Sequence, residues 1–185
     1  MKGLNTMKKI ISISLILATI ILSLVSCTTG ETNYKTDVKT YSIYTTLSKL
    51  LKNNSETYIY ALENKGFEEL GDKYQGSTHI KYTIGLNIEL TSDCFVETLG
   101  GNGCFEYGVF KAASPEAKSE IKTTLENYIS RLKNDELGLS YSPDDKLILD
   151  KATVSVFGDY VIYVITPAED STTIITRTEN LLTAE

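Results

Sequence analysis

The sequence has little of the chemistry on which most enzymes and metal sites depend. Its 185 residues include one histidine, three cysteines and no tryptophan. One histidine makes a zinc site poor in its commonest ligand, and no His-Glu-x-x-His motif occurs. No C-x-x-C spacing occurs either, which argues against a redox-active cysteine pair. We therefore expect no metal and no other cofactor.

Basic residues are also scarce beyond the N-terminal segment. Residues 27–185 contain all 24 acidic residues and 15 of the 18 basic ones, so their formal charge is −9. A surface of this sign repels phosphate backbones and anionic lipid head groups. We therefore expect no nucleic-acid partner and no membrane contact through a basic patch.

The one long apolar run is too short to favour a membrane-spanning helix. Lys2, Lys8 and Lys9 precede the 16-residue stretch from Ile10 to Val25, which is the order of a secretory signal peptide. At ~1.5 Å per residue the run falls short of the ~30 Å hydrocarbon core. An uncleaved anchor stretched by its flanking lysines is the alternative. Either Met1 or Met7 serves as the start.

The apolar run ends at a cysteine in a recognisable context. Leu24-Val25-Ser26-Cys27 resembles the lipobox of bacterial lipoproteins. The resemblance implies cleavage between Ser26 and Cys27 and a diacylglyceryl group on the Cys27 sulfur. Two acyl chains give stable anchoring, whereas one gives only reversible binding. An ordinary signal peptide with a chance cysteine is the alternative.

These features predict the organisation of the chain. Residues 1–26 form a lipoprotein signal peptide, residues 27–36 form the lipidated cysteine and a polar tether, and residues 37–185 form one domain. The predicted location is the extracytoplasmic face of the cell membrane, with the membrane contacted through the lipid on Cys27. Outside the cytoplasm Cys94 and Cys104 can form a disulfide, and two separate buried thiols are the alternative.

Hydrophobic periodicity predicts the elements of the first half of the domain. Apolar residues at steps of three and four predict a helix from Asp37, its N-cap, to Asn53. A second short helix is predicted over Glu56–Asn64. Strict alternation predicts a long strand over His79–Thr91, and two further strands flank a glycine turn, Gly100–Gly103.

The second half shows clearer boundaries. Ser114 and Pro115 predict the start of a helix that ends near Leu137. The sequence YSPDDK predicts a loop, and ATVSVFGDYVIYVIT predicts a hairpin with Gly158-Asp159 as its turn. Pro167 begins a last helix. The fold class is thus α+β: an antiparallel sheet of four to five strands, helices mainly on one face, and the order α-ββ-α-ββ-α after the signal helix.

Three short motifs carry a family resemblance. Phe110-Lys111-Ala112, Tyr141-Ser142-Pro143 and Gly158-Asp159-Tyr160-Val161 occur with the spacing seen in a family of small lipoproteins from low-GC, clostridia-like Gram-positive bacteria. The chain resembles that family, which is catalogued only as a domain of unknown function. The resemblance implies a lipoprotein with one domain, and it implies no activity.

No catalytic set is apparent in the sequence. Alternation places His79 on the water-facing side of its predicted strand, without a local nucleophile. Two Ser-x-x-Lys strings, at Ser119 and Ser130, have the spacing of penicillin-binding enzymes. The Lys-Thr-Gly strand of those enzymes is missing, so a chance occurrence is favoured.

Tyrosines support a different role. Tyr41, Tyr44 and Tyr141 are candidates for a surface that binds glycan or peptide, because phenol rings offer apolar faces with a polar tip. Packing in the core is the alternative. We expect a lipid-anchored, non-catalytic accessory or binding protein, with an envelope protein or a glycan as partner. A small envelope hydrolase and a structural partner of a membrane complex are the alternatives.

Overall fold

The structure is a computed structural model that describes residues 32–51, 56–99, 104–134, 137 and 140–184. The predicted signal peptide, Ser26, Cys27 and the glycine turn lie outside the described residues. Within the described ranges, no helix is both long enough and apolar enough to cross a membrane. Asn33–Glu185 forms one compact unit.

Four α-helices and five strands make up this unit, together with short helices of other types. In chain order the elements are α1 (Thr40–Leu50), β1 (Thr57–Ala61), a 3₁₀ helix (Phe67–Lys73), a π-helix (His79–Ile84), a 3₁₀ turn (Ile88–Leu90), β2 (Thr91–Leu99), β3 (Glu106–Ala112), α2 (Pro115–Lys133), α3 (Pro143–Asp150), β4 (Thr153–Phe157), β5 (Tyr160–Ile165) and α4 (Ala168–Leu182).

The strands form a single antiparallel sheet in the order β1-β2-β3-β5-β4. This confirms the α+β class and the antiparallel sheet. The register aligns Cys94 of β2 with Phe110 of β3, and Phe110 with Val161 of β5. The predicted hairpin is also confirmed. Gly158 has φ 57°, and a positive φ at the first of two turn residues is the pattern of a II′ hairpin.

Helices cover both faces of the sheet, not mainly one face as predicted. The π-helix and α2 pack on one face to form the α2 core, and α1 and α4 pack on the other to form the α1–α4 core. Side chains alternate between them: Phe95 lies in the α1–α4 core, whereas Cys94 and Val96 lie in the α2 core. The burial of both faces is not apparent from the sequence, because β2 and β3 carry Glu97 and Glu106 among their apolar residues.

The predicted strand over His79–Thr91 is wrong for most of its length, because a π-helix and a 3₁₀ turn occupy it. Ile80 and Ile84 are buried there, whereas Tyr82 between them is 83% exposed. Residues four apart share one face of a helix and also one face of a strand. The alternating pattern therefore fitted both structures, and the exposure of Tyr82 distinguishes them.

Two shorter predictions also fail. Residues Glu56–Asn64 contain strand β1 instead of a helix, with Ile59 buried and its neighbours half-buried. The YSPDDK segment contains the start of α3 instead of a loop. Ser142 and Asp145 form a reciprocal capping box at that start, which satisfies two backbone donors. Ser114 caps α2 and Pro115 follows it, as predicted.

The N-terminus of α1 is capped from a distant strand. Asp37, the predicted N-cap, makes no cap, and Lys39 occupies that position without a side-chain bond. Instead the buried carboxylate of Asp93 on β2 accepts hydrogen bonds from the Thr40 backbone N–H (2.9 Å) and the Thr40 hydroxyl (2.7 Å). Asp93 thereby joins α1 to the sheet, and its negative charge lies at the positive end of the helix.

We expect Asp93→Ala to destabilise the domain by about 1–3 kcal/mol, because two donors of Thr40 lose their acceptor in a buried site. Asp37→Ala is the matched control, since Asp37 is exposed and removes the same charge. Its free energy of unfolding should change by less than about 0.5 kcal/mol. Urea unfolding of both variants checks this, and equal losses would contradict the capping role of Asp93.

Candidate functional site

The only histidine lies in a largely buried polar cluster and not on an exposed strand. His79 begins the π-helix, and its Nε2 is 2.9 Å from Oε2 of Glu106 on β3. The two side chains are 16% and 10% exposed. The His79 ring lies against Tyr60, with ring centroids 4.9 Å apart. The prediction of a water-facing His79 is therefore wrong.

Glu106 also accepts a hydrogen bond from a phenol. Neighbouring residues of α2 hold the π-helix in place. The Tyr163 hydroxyl donates to Glu106 Oε1 at 2.6 Å, and the Tyr128 ring packs edge-on against the rings of His79 and Tyr163. Arg131 lies over the Tyr128 ring and donates to the carbonyls at the end of the π-helix, Thr83 and Ile84. His79, Glu106, Tyr128 and Tyr163 form what we call the Glu106 cluster.

A glycine on β3 makes room for this cluster. Gly108 is aligned with Tyr163 on β5 and with Val96 on β2. A Cβ at this position would lie 2.6 Å from the Tyr163 ring and 2.9 Å from the Phe95 carbonyl oxygen. The missing side chain lets the Tyr163 ring lie close to β3, where its hydroxyl reaches Glu106.

Burial sets the protonation of the phenols. Burial raises the pKa of Tyr163 and of Tyr128 well above the ordinary value of 10, and the charge of Glu106 raises it further. The α1–α4 core contains a matching arrangement, because the Tyr107 hydroxyl donates to Glu97 and burial raises the pKa of Tyr107 well above 10. These phenols therefore stay protonated, and Tyr163 and Tyr107 donate hydrogen bonds to Glu106 and Glu97.

The Glu106 cluster contains protonated phenols but no activated nucleophile. Cys94 lies in the α2 core with its thiol buried, and burial raises its pKa to about 12. Ser119 and Ser130 of the Ser-x-x-Lys strings lie exposed on α2, and Lys122 of the first string pairs with Glu126 at 3.0 Å. Over the described ranges, no three His, Cys, Asp or Glu side chains are placed to hold a metal ion.

The two domain cysteines are separate thiols. Both are buried and free. The register aligns Cys94 with Phe110, and Cys104 lies six residues before Phe110 in the chain, which places it ~20 Å along the sheet. A disulfide needs Cα atoms closer than ~7 Å. The structure therefore has two separate buried thiols, the alternative to a disulfide between Cys94 and Cys104.

The candidate tyrosine surface is not assembled. Tyr44 is buried in the α1–α4 core, where its ring packs against Phe67 and Phe95, and Tyr41 lies half-buried beside it. Tyr141 packs against the α2 core, on the opposite face of the sheet. The three phenols therefore do not share one surface, and two of them are part of the packing of one core.

A surface groove lies between the last turns of α1 and α4. It has a volume of about 440 Å³ and is lined by Thr46, Lys49, Leu50, Arg177, Asn180 and Leu181. Leu50 is 42% exposed, an unusual value for leucine in this domain. Among the described residues, neither Lys49 nor Arg177 forms an ion pair. We call this the α1–α4 groove.

Sequence reasoning missed this groove for a topological reason. Both of its helices are predicted from the sequence, but their pairing joins two ends of the domain. The signal in the sequence of each helix was also weak, because one cation and one leucine near a helix end are common on any protein surface.

A second, more polar groove of about 370 Å³ lies between α2 and α3. Tyr141 lines it together with Leu132, Lys133, Asn134, Lys146, Leu149 and Asp150.

Comparison with known protein families matches one family model to the central part of the chain. A model described as a domain of unknown function (DUF4358) matches residues 68–166. The chain belongs to the DUF4358 family. No curated protein and no solved structure matches it.

The DUF4358 match includes the Glu106 cluster but not the α1–α4 groove. It includes β2 to β5, α2, α3 and all four residues of the Glu106 cluster, whereas α1 and α4 lie outside it. The α1–α4 groove is thus built by the elements that flank the matched range. The second groove, between α2 and α3, lies within the matched range, so the two grooves differ in this respect.

The protonated phenols predict a loss of stability at alkaline pH. The pKa of Tyr163 in the folded state is raised, so the folded state keeps a proton that the unfolded state loses above pH ~10. The contribution of Tyr163 to the free energy of unfolding should be constant below pH ~10 and fall as the pH rises further. Urea unfolding at pH ~8 and pH ~11 measures the difference.

Tyr163→Phe tests the assignment to this phenol. At pH ~8 the variant should lose about 1–3 kcal/mol, because Glu106 loses a donor, but its further loss at pH ~11 should be smaller than that of the natural chain. Tyr82→Phe is the matched control, and it should change neither quantity because Tyr82 is exposed. An unchanged alkaline loss in Tyr163→Phe would contradict the assignment.

Proposed function

We propose that this DUF4358 protein is a lipid-anchored, non-catalytic binding protein on the extracytoplasmic face of the cell membrane. The α1–α4 groove is its binding site, and the ligand is an anion that carries an apolar group. The observation that carries the proposal is the groove itself: two cations that form no ion pair with a described residue lie beside an exposed leucine. The chain as a whole carries a negative net charge.

The groove chemistry defines the ligand class. Leu50 and Leu181 supply apolar contact, and Lys49 and Arg177 supply positive charge. Lys49 also lies in the last turn of α1, where a cation interacts favourably with the helix dipole. Arg177 has no such role within its helix, since it precedes the last turn of α4. An acidic segment of an envelope protein fits both features, whereas an uncharged glycan uses only part of the site.

The anchor is supported by the sequence. The signal-like run ends at Leu24-Val25-Ser26-Cys27, and the other two cysteines are buried in the domain. Cys27 precedes the described residues, in a sequence that resembles the lipobox. A ligand-binding domain held at the membrane by two acyl chains meets partners that share the same surface.

A small envelope hydrolase is the second candidate, and the His79–Glu106 pair is the observation that favours it. A histidine oriented by a carboxylate supplies two of the three members of a nucleophilic triad. It is the weaker candidate because Glu106 already accepts a hydrogen bond from Tyr163, the pair is largely buried, and Cys94 holds its proton. An activity that His79→Gln abolishes in a folded protein would favour the hydrolase over the binding protein.

Lipidation of Cys27 gives the first test of the proposal. In cells supplied with labelled palmitate, the natural chain should carry label and sediment with membranes. Cys27→Ser should carry none, because the acceptor sulfur is missing. Cys94→Ser is the matched control and should keep the label. Mass spectrometry of the N-terminal peptide identifies the modified atom, and an unacylated mature N-terminus would contradict the anchor.

Ligand binding gives the second test. The mature chain with Cys27→Ser is titrated with 8-anilinonaphthalene-1-sulfonate, an apolar anion, and with the uncharged N-phenyl-1-naphthylamine. The anion should bind more tightly, and added salt should weaken it. Lys49→Gln with Arg177→Gln should reduce its affinity about tenfold, equivalent to ~1.4 kcal/mol, and should leave the neutral probe unchanged.

A charge-matched variant controls for the change in net charge. Lys122→Gln with Lys133→Gln removes two exposed cations of α2, far from the groove in the fold. This pair should leave the affinity for the anionic probe within about twofold. Equal weakening by both double variants would show that the probe responds to net charge, and it would remove the α1–α4 groove as the binding site.

A further inference from the structure

The two edge strands of the sheet, β1 and β4, differ in whether other parts of the backbone bond to their outer side. At the β1 edge, the segment after the 3₁₀ helix covers the backbone: the Gln75 N–H donates to the Ile59 carbonyl and the Ala61 N–H donates to the Gly76 carbonyl, both at 2.8 Å. At the β4 edge, the described part of the chain supplies no backbone partner from outside the sheet. β4 is therefore an open edge strand.

The hairpin register identifies which β4 groups are open. A two-residue turn places a hydrogen bond between the residues that flank it, here Phe157 and Tyr160. Bonded residues alternate along an antiparallel ladder, so Ser155 and Thr153 also bond to β5. The N–H and C=O groups of Val154 and Val156 consequently point away from the sheet.

β4 also lacks the features that usually block pairing at an edge. Its sequence, Thr-Val-Ser-Val-Phe, contains no lysine and no proline, and its register with β5 is continuous. Lysine, proline or a bulge on an edge strand prevents another strand from adding to it. Val156 is 38% exposed, one of few large apolar side chains with such exposure among the described residues.

We propose that two copies of this chain pair through β4, edge to edge and antiparallel about Ser155. In that register Val154 of one copy is opposite Val156 of the other, so their outward groups form four backbone hydrogen bonds. The result is a continuous ten-stranded sheet with two-fold symmetry, in which the same strand serves both sides.

The charges that flank β4 fit this register. Lys151 lies four residues before Ser155 and Asp159 lies four residues after it. Lys151 ends α3 and Asp159 lies in the hairpin turn, so antiparallel pairing of β4 brings the strand end beside Lys151 of one copy next to the strand end beside Asp159 of the other. Lys151 is exposed and makes no ion pair with a described residue, and Asp159 has only a distant cation, Lys118 at 3.8 Å. Opposite charges across strands support pairing, and a second copy supplies both.

Cysteine crosslinking of the full chain in the membranes of producing cells tests the register. In Ser155→Cys, the two introduced thiols meet at the axis with Cα atoms ~4.5 Å apart, and an added oxidant should join them. In Thr153→Cys, the matched control, the two thiols lie ~14 Å apart and should give at least about tenfold less dimer. Native Cys94 and Cys104 are buried and common to both variants.

Charge reversal on the Ser155→Cys background tests the partner. Lys151→Glu should reduce the dimer about two- to tenfold, and adding Asp159→Lys should restore it, because the pair is re-formed across the axis. Val156→Lys should also reduce the dimer, whereas Leu147→Lys, an exposed apolar residue of α3, should not. Equal crosslinking of positions 155 and 153, or no recovery in the double reversal, would overturn the proposal.

Discussion

Because helices cover both faces of the sheet, all of β5 and most of β2 and β3 are buried, and the polar groups buried there cannot rely on water. The domain meets this requirement with specific partners. Glu106 binds His79 and Tyr163 in one core, Glu97 binds Tyr107 in the other, and Asp93 caps a helix. Buried carboxylates without such partners would be strongly destabilising.

The same partners fix the irregular parts of the chain. The segment between β1 and β2 contains no long regular element, yet His79 ties its π-helix to β3 and Arg131 ties it to α2. Polar contacts of this kind are directional, so they specify one packing where apolar contact alone would allow several. The tyrosine-rich composition thus serves the interior, since Tyr107, Tyr160 and Tyr163 are fully buried.

The sequence predicts the elements whose signals are local. Ser114 and Pro115 mark the start of α2, and Gly158-Asp159 marks the hairpin turn, because capping and turn geometry depend on adjacent residues. The region from His79 to Leu90 fails because its period fits two structures, and the tertiary contacts of His79 decide between them.

The sites depend on contacts that no local pattern contains. Asp93 caps a helix 53 residues away in the chain, and Glu106 finds Tyr163 at a separation of 57 residues. The α1–α4 groove combines helices from the two ends of the domain. Charge and composition predicted an acidic, non-catalytic domain, but the position of its free cations required the fold.

The first and last described segments lie side by side. Tyr34 pairs with Thr183 in a single antiparallel bridge, the Lys35 N–H donates to the Leu182 carbonyl, and the Ala184 N–H donates to the Asn33 carbonyl. The chain therefore enters and leaves this domain at one point. A mechanical load applied through residue 33 would act first on these two hydrogen bonds and on the end of α4. The last turn of the final helix and the residues after it therefore resist the separation of the two chain ends under force.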